Sequence, residues 1–125
     1  TIDGGTNVAL GNLTTLAGFI DANARTGGMT FGTLKATSKV KLRAASAWSN
    51  GQAISGTAIY ASNGAVDLLA SSGGVSLTTL SGTSQSIVKT NAGAIKISTV
   101  LGFSPTSLLT VTATGGSKTV PVAYR

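Results

Sequence analysis

A chain of 125 residues is about one domain long. Charged residues make up only 10% and aromatics 5%, while hydrophobic residues reach 42%; this excludes a disordered chain, which would carry more charge and fewer aliphatics. There is no cysteine and no histidine, which excludes a disulfide scaffold, a thiolate metal site and any imidazole ligand or base. The net charge of +6 attracts anionic partners in general without choosing among nucleic acid, acidic glycan and lipid surface.

Thr (19), Ser (15) and Gly (17) together supply 51 residues. That excess favours strands and turns, because Thr fits a pleated surface and Gly supplies positive φ at bends. Gly has no three-residue period, so a collagen helix is excluded.

Residues 1–18 carry Gly4-Gly5, then Val8 and Leu10 in alternation, then Leu13 and Leu16. They predict a bend and one or two short strands. Leu10, Leu13, Leu16, Phe19 and Ile20 also fit one helical face, but Gly11, Gly18 and the threonines oppose a helix. Asn12-Leu13-Thr14 has the form of a glycosylation sequon and reads as a turn asparagine. Residues 19–33 give Phe19-Ile20, a polar bend ending at Gly27-Gly28, then Met29-Thr30-Phe31.

Residues 34–45, LKATSKVKLRAA, pass from a β-rich piece through a small-residue bend into a second alternating strand. With Val40, Leu42 and Ala44 inward, Lys39, Lys41 and Arg43 share the opposite face. Residues 47–58 contain Ser49-Asn50-Gly51, and Ser62-Asn63-Gly64 follows. Asn-Gly between apolar runs is a hairpin signal, the main support for a rival fold of antiparallel strands.

The pattern of residues 34–45 returns as IYASNGAVDLLAS (59–71) and as IVKTNAGAIKIST (87–99). The matching pairs are Val40/Leu42, Val66/Leu68 and Ile95/Ile97. Their period is roughly 26 to 29 residues, and self-similarity on that scale marks stacked supersecondary units. One rung cannot bury its apolar face alone; stacked rungs pair their backbones and line up Val, Ile and Leu inside.

The Gly73-Gly74 bend leads to Val75, Leu77 and Leu80. Downstream come Leu101, Phe103, a Ser104-Pro105 break, the run Leu109 to Thr114, a Gly115-Gly116 bend, then Val120, Pro121, Val122 and Tyr124. The expectation is an all-β, right-handed parallel β-helix (β-solenoid) of about four to five rungs. The alternative is an antiparallel β-sandwich. The whole of 1–125 reads as one solenoid segment of a longer repeat array, stacking on adjacent repeats. No signal peptide is visible, and no stretch approaches the about 18 apolar residues of a membrane helix.

Catalytic chemistry is sparse. The carboxylates are Asp3, Asp21 and Asp67, without glutamate, and their spacing suggests strand-surface or turn roles. Ser86-Ile87-Val88-Lys89 has the S-x-x-K form of penicillin-recognising enzymes, but it lies in a strand-like run without partner motifs. Phosphate-cradling glycine loops are missing too. The expectation is a non-enzyme without cofactor or metal.

Lys35, Lys39, Lys41 and Arg43 form the one binding candidate, four of nine basic residues within nine positions. They suit an acidic or sulfated glycan or another anionic surface; the plain alternative is a solvated strand face that blunts self-association. Nucleic acid is not expected, because aromatics are not interleaved as stacking platforms. Thr110, Thr112 and Thr114 put three hydroxyls on one strand face, a weak hint of water ordering.

At GAVDLLASSGGVSLTTL (64–80) and NAGAIKISTV (91–100) the chain resembles filamentous-haemagglutinin-type repeats of bacterial two-partner-secreted adhesins and exoproteins. The likeness spans about residues 19–114 and lies in the general make-up of the repeats, with Gly-bounded strands, small residues, basic charge and no cysteine. It implies a right-handed parallel β-helix, export of a parent chain, a secreted or cell-surface location, and a shaft or adhesive role toward host or neighbouring cells. The family supplies no catalytic residue to carry over.

Overall fold

Alternating aliphatic and polar residues separated by small-residue bends form strands throughout. The computed structural model describes residues 2–5, 7–15, 18–47, 52–61, 64–82, 86–101, 109–114 and 116–119, and no helix occurs among them. The strands are β1 (Ile2–Gly4), β2 (Val8–Ala9), β3 (Leu13–Thr14), β4 (Ile20–Ala24), β5 (Met29–Ala36), β6 (Val40–Ala44) and β7 (Gln52–Ala61). They continue with β8 (Val66–Ala70), β9 (Gly74–Ser81), β10 (Ser86–Thr90), β11 (Ile95–Leu101), β12 (Leu109–Ala113) and β13 (Lys118–Thr119).

From β4 onward the chain alternates between two sheets. The first sheet has the order β1-β4-β6-β8-β10-β12 and the second β13-β11-β9-β7-β5-β2, with β3 also on β5. All pairings among these strands are parallel. Parallel neighbours need a long crossover, and here the strand of the other sheet provides it. The result is a parallel β-solenoid of about five turns, as the repeats predict. The antiparallel sandwich is overturned. The Asn-Gly signals make no hairpin between β7 and β8, which lie in different sheets; Asn50, Gly51 and Asn63 fall outside the described residues.

The repeat alignment needs a correction. Val40 pairs with Val66 and Leu42 with Leu68, as expected. Ile95 and Ile97, however, pair with Val75 and Leu77 in the second sheet. The true continuation of Leu68 is Val88, then Val111. The stretches 34–45 and 59–71 run from the second sheet into the first, whereas 87–99 runs from the first into the second. They share a strand-bend-strand form but are half a coil out of phase. Ile20 steps to Val40 and Leu68 to Val88 by one short coil each. The step from Val40 to Val66 is longer and contains an insertion. The basic coil of about 20 residues is at the short end for solenoid repeats.

The core lies between the sheets as ladders. One runs Ala22, Leu42, Leu68, Val88, Val111; another runs Met29, Ile54, Val75, Ile95. Nearly all of these side chains are fully buried. Burying each Val, Leu or Ile contributes roughly 1.5–3 kcal/mol before entropy is subtracted. Small ladders of Ala24, Ala44 and Ala70 draw in the strand ends.

In the second sheet the inward alternation skips a beat. Met29 and Phe31 face in, then Leu34 and Ala36; β9 repeats this with Val75 and Leu77, then Leu80. The skipped residues Gly32, Thr57, Thr78 and Ser98 drop out of the pairing register. Each long strand therefore consists of two limbs, which β2 and β3 form separately in the first coil. Asn12 bridges that corner, its Oδ1 accepting from the Thr33 backbone N–H at 2.9 Å.

At the bends after the first-sheet strands, glycines stack closely. A Cβ on Gly93 would lie 2.5 Å from the Gly73 carbonyl carbon, and one on Gly116 2.4 Å from the Gly93 oxygen. Gly73 (φ +106°) and Gly93 (φ +141°) are also left-handed, so both space and backbone select glycine. The short strands expected in residues 1–18 are present and the alternative helical face is not formed among the described residues, with Leu13 in β3, Ile20 buried in β4 and Phe19 exposed. Leu16, Phe103, Pro105, Pro121 and residues 120–125 lie outside the described residues.

Candidate functional site

The first sheet turns alternate side chains outward, and its outer face gathers the charge. One outward column runs Asp21, Lys41, Asp67, Ile87, Thr110. Its neighbour runs Asp3, Asn23, Arg43, Leu69, Lys89, Thr112. All three carboxylates of the chain thus lie on this face, a grouping that linear spacing hides.

The predicted basic cluster is split by this geometry. Lys41 and Arg43 are half-buried on the outer face of β6, and Lys39 is exposed in the turn before that strand. Lys35 is exposed on β5 in the other sheet, its Nζ 5.7 Å from the Tyr60 ring centroid. The four cations therefore do not form one patch.

Arg43 is also engaged. Its Nη1 donates to Asp67 Oδ1 at 3.1 Å and Nη2 to Oδ2 at 2.8 Å, a two-pronged pair with both side chains 29% exposed. Nη1 further reaches the carbonyls of Leu42 and Asp67 at 3.1 and 3.2 Å. Arg25 binds Asp3 in the same manner, with contacts of 2.5–3.2 Å. The Arg25 hydrogen bond is the main cause holding the Asp3 carboxyl below its ordinary range, and the same contact raises Arg25.

Asp21, Asn23 and Lys41 remain. Among the described residues they make no side-chain hydrogen bond or ion pair. With Ile2, Asp3 and Arg43 they line a cleft of about 280 Å³. Beside it, Ile2, Leu13, Thr15, Phe19, Ile20 and Asp21 line an apolar depression of about 210 Å³. Phe19 is 56% exposed. The sequence reading puts Asp21 and Asn23 in a polar bend; in the structure they are the outward positions of β4. A signal for this exists, because IDANA (20–24) alternates as VKLRA (40–44) does, one coil earlier.

The S-x-x-K stretch does not assemble a dyad. Ser86 is buried and its Oγ accepts from the Val66 backbone N–H at 2.8 Å. Lys89, three residues along the same strand, is exposed on the outer face. Thr110 and Thr112 are exposed on β12, while Thr114 follows the strand in a bend. Among the described residues no cluster of three or more His, Cys, Asp or Glu has metal-binding geometry, and no helix is long and apolar enough to cross a membrane. Comparison with protein-family models, curated proteins and solved structures returns no match to this chain.

Proposed function

We propose that this chain is a non-enzymatic solenoid segment of a secreted or surface-exposed adhesin or exoprotein, serving as shaft and attachment surface. The observation that carries this reading is the unbroken set of parallel ladders through about five turns. Such an element is stiff, because every coil is bonded to its neighbours along both sheets. Its sides offer hydroxyls, lysines and a charged face to partners, while most of its aliphatics are turned inside. The absence of histidine and cysteine and the opposed placement of Ser86 and Lys89 also favour a binding role.

The test is location. Antibody to the folded chain, applied to intact source cells and to their culture fluid, is expected to find it outside, sensitive to added protease. Detection only within the cytoplasmic fraction would overturn the proposal. Regular self-assembly of the purified chain into virion-like or filamentous particles would move the assignment to a structural subunit of a virion, tail spike or filament.

A further inference from the structure

We infer that the cleft of Asp21, Asn23 and Lys41, together with the Phe19 depression, is a binding site for a carboxylated saccharide. The inference rests on the attachment reading for its biological setting, but its chemistry stands on the cleft itself.

Two observations converge. The first is a set of polar groups left unengaged. Arg25 holds Asp3 and Asp67 holds Arg43; the neighbouring Asp21 carboxylate, Asn23 amide and Lys41 ammonium have no such partner among the described residues. The ladder places them in adjacent coils, Asp21 beside Lys41 and Asn23 beside Arg43. The second is the apolar depression that adjoins the cleft through Ile2 and Asp21, with Phe19 more than half exposed. Its lining includes Thr15.

These groups specify the ligand class. A carboxylate accepts hydrogen bonds and needs a partner rich in donors, which sugar hydroxyls supply. An amide both donates and accepts, matching vicinal hydroxyls. An ammonium beside them selects a negative substituent. An exposed phenyl ring offers an apolar platform for the C–H face of a sugar ring. A densely sulfated chain fits less well, because the unengaged Asp21 carboxylate stands beside the Lys41 ammonium and repels it. Nucleic acid meets the same carboxylate.

The experiment is titration of the isotope-labelled chain with a galacturonate oligomer, with a sialylated lactose, with lactose itself and with heparin. Backbone amide shifts at residues 19–23 and 40–42 report binding. Saturable shifts there with either carboxylated sugar support the inference, and the responding sugar tells uronate from sialate. Lactose is expected to bind at least about tenfold more weakly, as loss of a charge-assisted hydrogen bond requires. Asp21→Asn and Lys41→Met should each weaken binding by about tenfold or more, with an unchanged circular dichroism spectrum. Phe19→Ala, which alters an exposed side chain, should weaken lactose and its sialylated form alike. Binding of heparin at the same amides as tightly as the carboxylated sugars would overturn the inference. So would full affinity in the Asp21→Asn, Lys41→Met double variant, or no saturable shift with either carboxylated sugar. None of these failures bears on whether the protein resides outside the cell.

Discussion

Gly56 and Phe31 are adjacent members of one inward column, and they function as a size-matched pair. A Cβ on Gly56 would lie 1.9 Å from Phe31 Cε2, so the ring lies over the glycine. Gly56→Ala is expected to cost about 1–3 kcal/mol by overpacking. Denaturant melts should show Phe31→Leu recovering part of that loss; equal loss in the single and double variants would disprove the pairing. In the centre of the stack, Leu68 is fully buried between Leu42 and Val88. Leu68→Ala is expected to cost about 2–5 kcal/mol, measured in the same melts. The Asp3–Arg25 pair has a pH signature. Asp3 is depressed in the folded state by its hydrogen bond to Arg25. Its contribution is therefore present above the ordinary carboxyl range and is lost as pH falls through the folded-state value. Asp3→Asn should lower the melting temperature slightly at neutral pH, with the gap to the parent closing in strong acid. A constant gap across that range would argue against the pair. Asp3 itself is legible in the sequence as a surface carboxylate; its partner is not, because 22 residues separate it from Arg25.

The coil is the unit at the next scale, and its length varies mostly in the connections, with one added residue inside β7 between Gln52 and Ile54. The steps from Ile54 to Val75 and from Val75 to Ile95 are nearly equal, whereas the step from Met29 to Ile54 is longer. Most of the surplus lies between β6 and β7. Gly93→Ala should be harsher than its size suggests, since it combines positive φ with contact against the Gly73 backbone. The strands are readable wherever period-2 alternation and small bends meet, as in VKLRA and VDLLA. The phase is not, because a strand-bend-strand pattern looks alike whether it leaves the first sheet or the second. The same blindness hides the charged cleft: Asp21 and Asn23 in β4 join Lys41 and Arg43 only once the coil step is known.

Over the whole molecule, charge is partitioned between faces. The carboxylates all project from the first sheet, beside Lys41, Arg43 and Lys89. The outer positions of the second sheet carry Lys35 and Lys96 with hydroxyl neighbours and no carboxylate among the described residues. The cations of the basic cluster are thus unequal toward a polyanion. Replacing Lys35 and Lys39 by Ser should lower the salt needed to elute the protein from heparin more than replacing Lys41 and Arg43 does. The opposite ranking would mean that the first sheet carries the polyanion contact despite its carboxylates. Composition and alternation alone determined that this chain is all-β, turn-rich, without thiol or imidazole chemistry, and stacked in repeated coils, because these properties depend on each residue and its near neighbours. Which coil positions lie over one another, and hence which charges meet, was decided only by the folded stack: connections of unequal length set the register, and register puts residues a whole coil apart in the sequence side by side.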